Sequence, residues 1–159
     1  IESDDIFGNR SVLDKVGPGQ VFAETYACVP NEPMLVNVAA AENCTVLFLK
    51  TAQILSPCPV NCRHHGKLIE NLLLVSAQKN LSLSRRIFHT APKTIRGRLI
   101  SYLSFQAIRE NSDSFTIPFN RQQLADYLGV ERSGLSLELG KMRDEGLLDF
   151  HKSHFILKV

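Results

Sequence analysis

Arg132, Ser133, Leu137 and Lys141 follow one another at steps of one, four and four residues. On a helix they would face away from Leu135, Leu139 and Met142, which recur at helical spacing. A guanidinium, a hydroxyl, a branched apolar group and an ammonium on one free face suit hydrogen bonding to base edges and phosphates, the early residues entering a major groove and Lys141 or Arg143 meeting phosphate. A second group of reactive side chains is Cys58-Pro-Val-Asn-Cys62 with His64 and His65, up to four soft ligands within eight residues. Its C-x3-C step differs from the usual C-x2-C zinc pair, so metal or thiol sensing stands beside plain structural cysteines, Cys28 and Cys44 included. A third is Glu24, either a polar contact for a small ligand or a solvated turn carboxylate.

The elements that must hold the first group are legible around it. Asn120 can cap a helix carrying Leu124, Ala125 and Leu128 inward. Gly129 follows where a helix ends and the chain must turn. A second helix is expected from Glu131 to Glu145, with Gly146 just past its end. Residues 147–150 and 155–158 alternate as two strands about a polar turn at 151–154, a wing. Arg121, Gln122 and Gln123 open the first helix, where its N-terminal dipole would help them hold phosphates. Two amphipathic helices joined by a glycine turn also occur in purely packed domains, so spacing alone leaves both readings open.

The wording of the run RQQLADYLGVERSGLSLELGKMRDEGLLDF, residues 121–150, resembles the winged helix-turn-helix of the Crp/Fnr family, the cyclic-AMP receptor protein and its bacterial relatives. Ile117-Pro118-Phe119-Asn120, Phe7-Gly8-Asn9-Arg10 and the segment GPGQVFAE extend the likeness over nearly the whole chain. The resemblance implies an α+β protein in three parts. These are a partial β-roll sensor domain (cupin-like, cyclic-nucleotide-binding-like) at 1–60, a dimerisation helix at 61–89 and a winged helix-turn-helix DNA-binding domain at 90–159. It implies a bacterial, cytoplasmic, non-enzymatic transcription regulator whose partners are double-stranded DNA, a second copy of itself and an unidentified small-molecule effector, with RNA polymerase a further candidate and no membrane. The roll would be entered in mid-course at Ile1, its front strands lying outside this sequence.

Residue by residue, Arg132 matches the arginine with which that family commonly addresses a guanine. Ser133 replaces the glutamate of the cyclic-AMP receptor branch. Leu137 stands where many relatives carry arginine, and leucine offers only apolar contact, for instance with a thymine methyl. Relatives that bind cyclic nucleotides hold the ribose with a Phe-Gly-Glu run and the phosphate with an Arg-Ser/Thr pair. Here the first is Phe22-Ala23-Glu24 and the second falls near Met34-Leu35-Val36. No arginine or lysine lies between Lys15 and Lys50, so a cyclic phosphate there would stay buried without a counter-charge. An effector other than a cyclic nucleotide is therefore expected, and no cofactor is assigned. The Fnr branch keeps its iron–sulfur cysteines near its N-terminus, so Cys58 and Cys62 do not suggest that cluster.

The chain has 159 residues, 44% hydrophobic and 21% charged, with a net charge of +2. Residues 1–60 hold seven acidic side chains to three basic ones, and residues 61–92 hold five basic to one acidic. An acidic front and a more basic rear fit DNA contact at the rear. No run of eighteen apolar residues occurs, which argues against a membrane span. Residues 1–55 are expected to form antiparallel sheet, with a turn at 16–20, apolar runs at 34–39 and 45–49, and Val21, Phe22, Val46 and Phe48 facing inward. From Cys62 to His89, Ile69, Leu73, Ser76, Asn80, Leu83 and Ile87 form a heptad seam that Leu68, Leu72 and Val75 widen. This is the dimer helix, the plainer alternative being a single core helix. Thr90-Ala91-Pro92 then breaks the chain, with Thr90 a capping candidate and the hinge at 90–93. A helix at 93–111 through Ile95, Leu99, Leu103 and Ile108 and an edge strand at 115–118 complete the order. The rival to a regulator is a metal or redox-sensing protein, or an enzyme, using Cys58, Cys62 and His64 or His65.

Overall fold

The computed structural model describes residues 1–56 and 63–158. It divides into two compact units, Ile1–Lys79 and Asn80–Val159.

The first unit begins with a hairpin of β1 (Glu2–Asp4) and β2 (Arg10–Val12), joined by a turn in which Asp5 Oδ1 accepts from the backbone N–H of Phe7 and Asn9. The Asn9 side-chain amide also donates to Asp5 Oδ2 at 2.8 Å, and this bond first, with the backbone ones, favours the carboxylate and holds the Asp5 pKa below its ordinary value. Two five-residue helices follow, α1 (Glu24–Cys28) and α2 (Thr51–Leu55). The antiparallel sheet expected over residues 1–55 is not formed beyond the hairpin and one bridge from Glu2 to Asn37. Residues 34–39 and 45–49 lie outside the named strands, and Val21, Val46 and Phe48 are exposed instead of inward. An apolar run becomes a strand only when a neighbour takes its N–H and C=O groups; among the described residues the run at 34–39 has such a neighbour only at the Glu2–Asn37 bridge, and the run at 45–49 has none.

The long helix α3 (Arg63–Thr90) has its expected extent. Its seam stays uncovered: Ile69, Leu73, Ser76, Asn80, Leu83 and Ile87 are exposed, and Leu72 and Val75 are half-buried. The last turn belongs to the second unit and buries His89, which lies edge-on to Tyr102 and close to the rings of Phe105 and Tyr127. His89 Nδ1 is 3.3 Å from Ser101 Oγ. Burial, and then the charge of Arg85, lower the imidazole pKa.

The rest of the second unit runs α4 (Ile95–Glu110), β3 (Ser114–Thr116), α5 (Arg121–Leu128), α6 (Arg132–Asp144), β4 (Leu148–His151) and β5 (His154–Leu157). Thr94 caps α4, its Oγ1 accepting from Gly97 N at 3.0 Å. Thr90, the expected cap, is still inside α3, where its hydroxyl donates back to Arg86 O. The strands form one antiparallel sheet in the order β3-β5-β4, with Phe115 and Phe150 both registered on Phe155. β3 is the expected edge strand. Helices and sheet close over a single core that includes Leu99, Tyr102, Leu103, Leu124, Leu128, Leu135, Leu139, Leu148 and Phe155. No helix among the described residues is long and apolar enough to cross a membrane.

Candidate nucleic-acid interface

Asn120 starts α5 with a reciprocal pair of bonds: its Oδ1 accepts from Gln123 N at 2.9 Å, and Gln123 Oε1 accepts from Asn120 N at 2.9 Å. Such a capping box satisfies two first-turn donors at once. At the other end Gly129 adopts φ +62°, and its N–H closes back on the Ala125 and Asp126 carbonyls. A side chain with a Cβ would resist that left-handed turn. The chain enters α6 three residues later, with Leu135, Leu139 and Met142 buried as the spacing required.

Arg132, Ser133, Leu137 and Lys141 are thereby turned outward and exposed. The Arg132 side chain makes no hydrogen bond or ion pair among the described residues. β4 and β5 form the wing beside this helix, tighter than expected, because His151 and His154 pair across and leave only Lys152 and Ser153 as the turn. Lys152 takes φ +53° there.

Residues 97–158 match the family model of the Crp-like helix-turn-helix domain. The C-terminal unit carries a Crp-like helix-turn-helix domain. Domains of this type are typical of DNA-binding transcription regulators, and α6 holds the place of their second helix. No curated protein matches the chain.

Two arginines that the sequence did not single out fix α6 within the Crp-like domain. Arg96 donates from Nε to Glu138 Oε1 at 2.5 Å and from its two terminal nitrogens to both oxygens of Glu145, each at 2.7 Å. This fork ties the start of α4 to the middle and the C-cap of α6, and it holds the Glu145 carboxyl below its ordinary pKa. Arg98 donates from Nε to Pro92 O at 2.9 Å and from Nη1 to Leu128 O at 2.8 Å and Gly129 O at 3.0 Å, gripping the turn between the two helices. Little local marks these arginines, because every partner but Pro92 lies thirty to forty-nine residues away.

The three residues of α5 expected at phosphates all have internal partners. Arg121 lies over the rings of Phe150 at 4.9 Å and Phe155 at 5.5 Å and donates to Lys152 O at 3.1 Å. Its burial lowers the guanidinium pKa. Gln122 Nε2 donates to Asp126 Oδ1 at 2.8 Å, and Gln123 is the capping residue already described. Arg143, on the last turn of α6, lies 5.3 Å from the Phe150 ring, so that wing ring carries two guanidiniums.

The other two groups belong to the first unit. Cys58 and Cys62 lie outside the described residues, His64 is exposed, and His65 Nε2 is 2.5 Å from Ile54 O. Among the described residues no group of three or more His, Cys, Asp or Glu side chains is placed to hold a metal. Glu24 is buried at the start of α1 and paired with Lys79 at 2.7 Å, so it is not the solvated turn carboxylate that was one of its two readings. Lys79 also donates to Val21 O at 2.7 Å, and Glu24 Oε2 has no hydrogen-bond partner among the described residues.

Proposed function

We propose that this chain is a sequence-specific transcription regulator of the Crp/Fnr type, acting as a homodimer on a pseudo-palindromic operator. One observation carries the reading: Arg132 projects, exposed and without a hydrogen-bond or ion-pair partner among the described residues, from the first turn of a helix whose opposite side is locked into the core of a Crp-like domain. A guanidinium in that position can bond in bidentate fashion to guanine O6 and N7, worth about 1–3 kcal/mol of discrimination. Ser133, Leu137 and Lys141 share the face, Lys141 or Arg143 meets phosphate, and Arg121, Gln122 and Gln123 reach phosphate only with the donors that their internal bonds leave spare. The uncovered seam of α3 supports pairing with a second copy, which would set two recognition helices about 34 Å apart, one turn of DNA. The lack of any basic residue between Lys15 and Lys50, with Glu24 already engaged by Lys79, supports an effector other than a cyclic nucleotide.

Selection of duplexes from a random pool by the full chain, with cell extract supplied as a source of effector, tests the proposal. A two-fold symmetric site should be enriched, and Arg132→Ala should bind it about 5- to 150-fold more weakly and relax one position in each half. Affinity should fall steeply as salt rises. Equal binding and an unchanged site in the variant would overturn the role of Arg132.

A further inference from the structure

Leu137 is 64% exposed on α6, on a face that is otherwise polar or small. Ser133 lies one turn before it, Ser136 is its chain neighbour, and Gly140 lies one turn after it. The leucine therefore stands proud of a shallow surround. Gly140 sharpens the point. Glycine inside a helix costs about 0.5–1 kcal/mol relative to alanine, and a Cβ at this position would meet nothing within 4 Å. Packing within the protein gives no reason for a glycine there, whereas a surface approaching α6 closely from outside does.

If α6 enters a major groove, as proposed above, what approaches is a row of base edges. Those edges offer hydrogen-bond donors and acceptors throughout, and their one apolar group is the C5-methyl of thymine. A leucine side chain can be satisfied there by nothing else. Its Cα lies about 7.5 Å along the helix from that of Arg132, close to two base-pair steps of about 3.4 Å. Resting on that reading of α6, we propose that Leu137 is a specificity-determining residue that reads the methyl of a thymine about two base pairs from the guanine addressed by Arg132. Ser133, Ser136 and Gly140 let the helix backbone come near enough for the contact.

Exchange of thymine for deoxyuridine removes that methyl and leaves every hydrogen-bonding group in place. In the duplex selected by the full chain, each thymine is replaced in turn and binding is measured for the native protein and for Leu137→Ala. One thymine per half-site should be sensitive, its replacement weakening native binding about fourfold, the value of one buried methyl-sized group. Leu137→Ala should bind the thymine and uracil duplexes equally. Because Leu137 is largely exposed and outside the core, the variant should fold as the native chain does. A selected site with no methyl-sensitive thymine, or a variant that keeps the discrimination, would overturn the assignment of Leu137 and leave DNA reading by Arg132 intact. Failure to enrich any duplex would overturn both.

Discussion

Leu139 is wholly buried and Phe48 is 87% exposed, although each belongs to an apolar run of the same chain. The second unit turns its apolar residues into a closed core with a short ordered sheet. The first unit keeps Ile6, Phe7, Leu47 and Phe48 at the surface around one small hairpin. The difference lies in how each kind of element satisfies its backbone. A helix pairs its own N–H and C=O groups, so α4, α5 and α6 need each other only to bury a stripe. A strand needs a neighbour for every bond, and among the described residues the run at 34–39 finds one only at Asn37 and the run at 45–49 finds none.

The largest expected effect breaks the comparison if it fails. Leu139→Ala should cost the second unit about 3 kcal/mol, because it leaves a cavity in a closed core. Phe48→Ala should change stability by less than about 0.5 kcal/mol, because the ring already meets water. Hydrogen exchange, which reports the units separately, checks both; a Phe48→Ala loss as large as that of Leu139→Ala would mean that the first unit has a core of its own.

Paired glycine substitutions probe the same contrast at smaller scale. On α4 of the second unit, a Cβ at Gly97 would lie 2.8 Å from Pro92 Cβ, so Gly97→Ala should destabilise by about 1–2 kcal/mol. On α3 in the first unit, a Cβ at Gly66 would meet nothing, so Gly66→Ala should stabilise the helix by about 0.5–1 kcal/mol. Thermal melts of the two variants should shift in opposite directions.

The smallest effect concerns His89. Its folded pKa is lowered from 6.5, so the unfolded chain takes up the proton first as pH falls. Its contribution to stability is therefore complete above about pH 6.5 and is lost as pH falls through the folded value. Urea titrations between pH 5 and pH 8 should show the second unit weakening on acidification, with a shallower slope in His89→Gln.

The same physics decides what could be seen in the sequence. Asn120, Gly129 and the Leu135, Leu139 and Met142 stripe act through neighbours within a few residues, and the α5, α6 and wing assignments follow from them to within a residue or two. The end of α3 was also legible, although the cap beyond it was Thr94 in place of Thr90, since a hydroxyl still inside a helix turns back on its own carbonyls. Val21, Val46 and Phe48 were expected to face inward on a sheet, and only partners distant in sequence could have shown that they do not. Arg96 and Arg98 were missed for the same reason, and so were the internal bonds of Arg121 and Gln122. The exposed face of α6 was legible, because exposure is what a buried stripe leaves behind.

Arg98 holds three carbonyl oxygens from two stretches of chain, Pro92 on one side and Leu128 with Gly129 on the other. A single rigid guanidinium bracketed in this way works as a strut. The segment that leads out of α3 is thus fastened to the bend that aims α6, and neither can shift by much more than a hydrogen bond's tolerance without pulling the other along or letting go of the arginine.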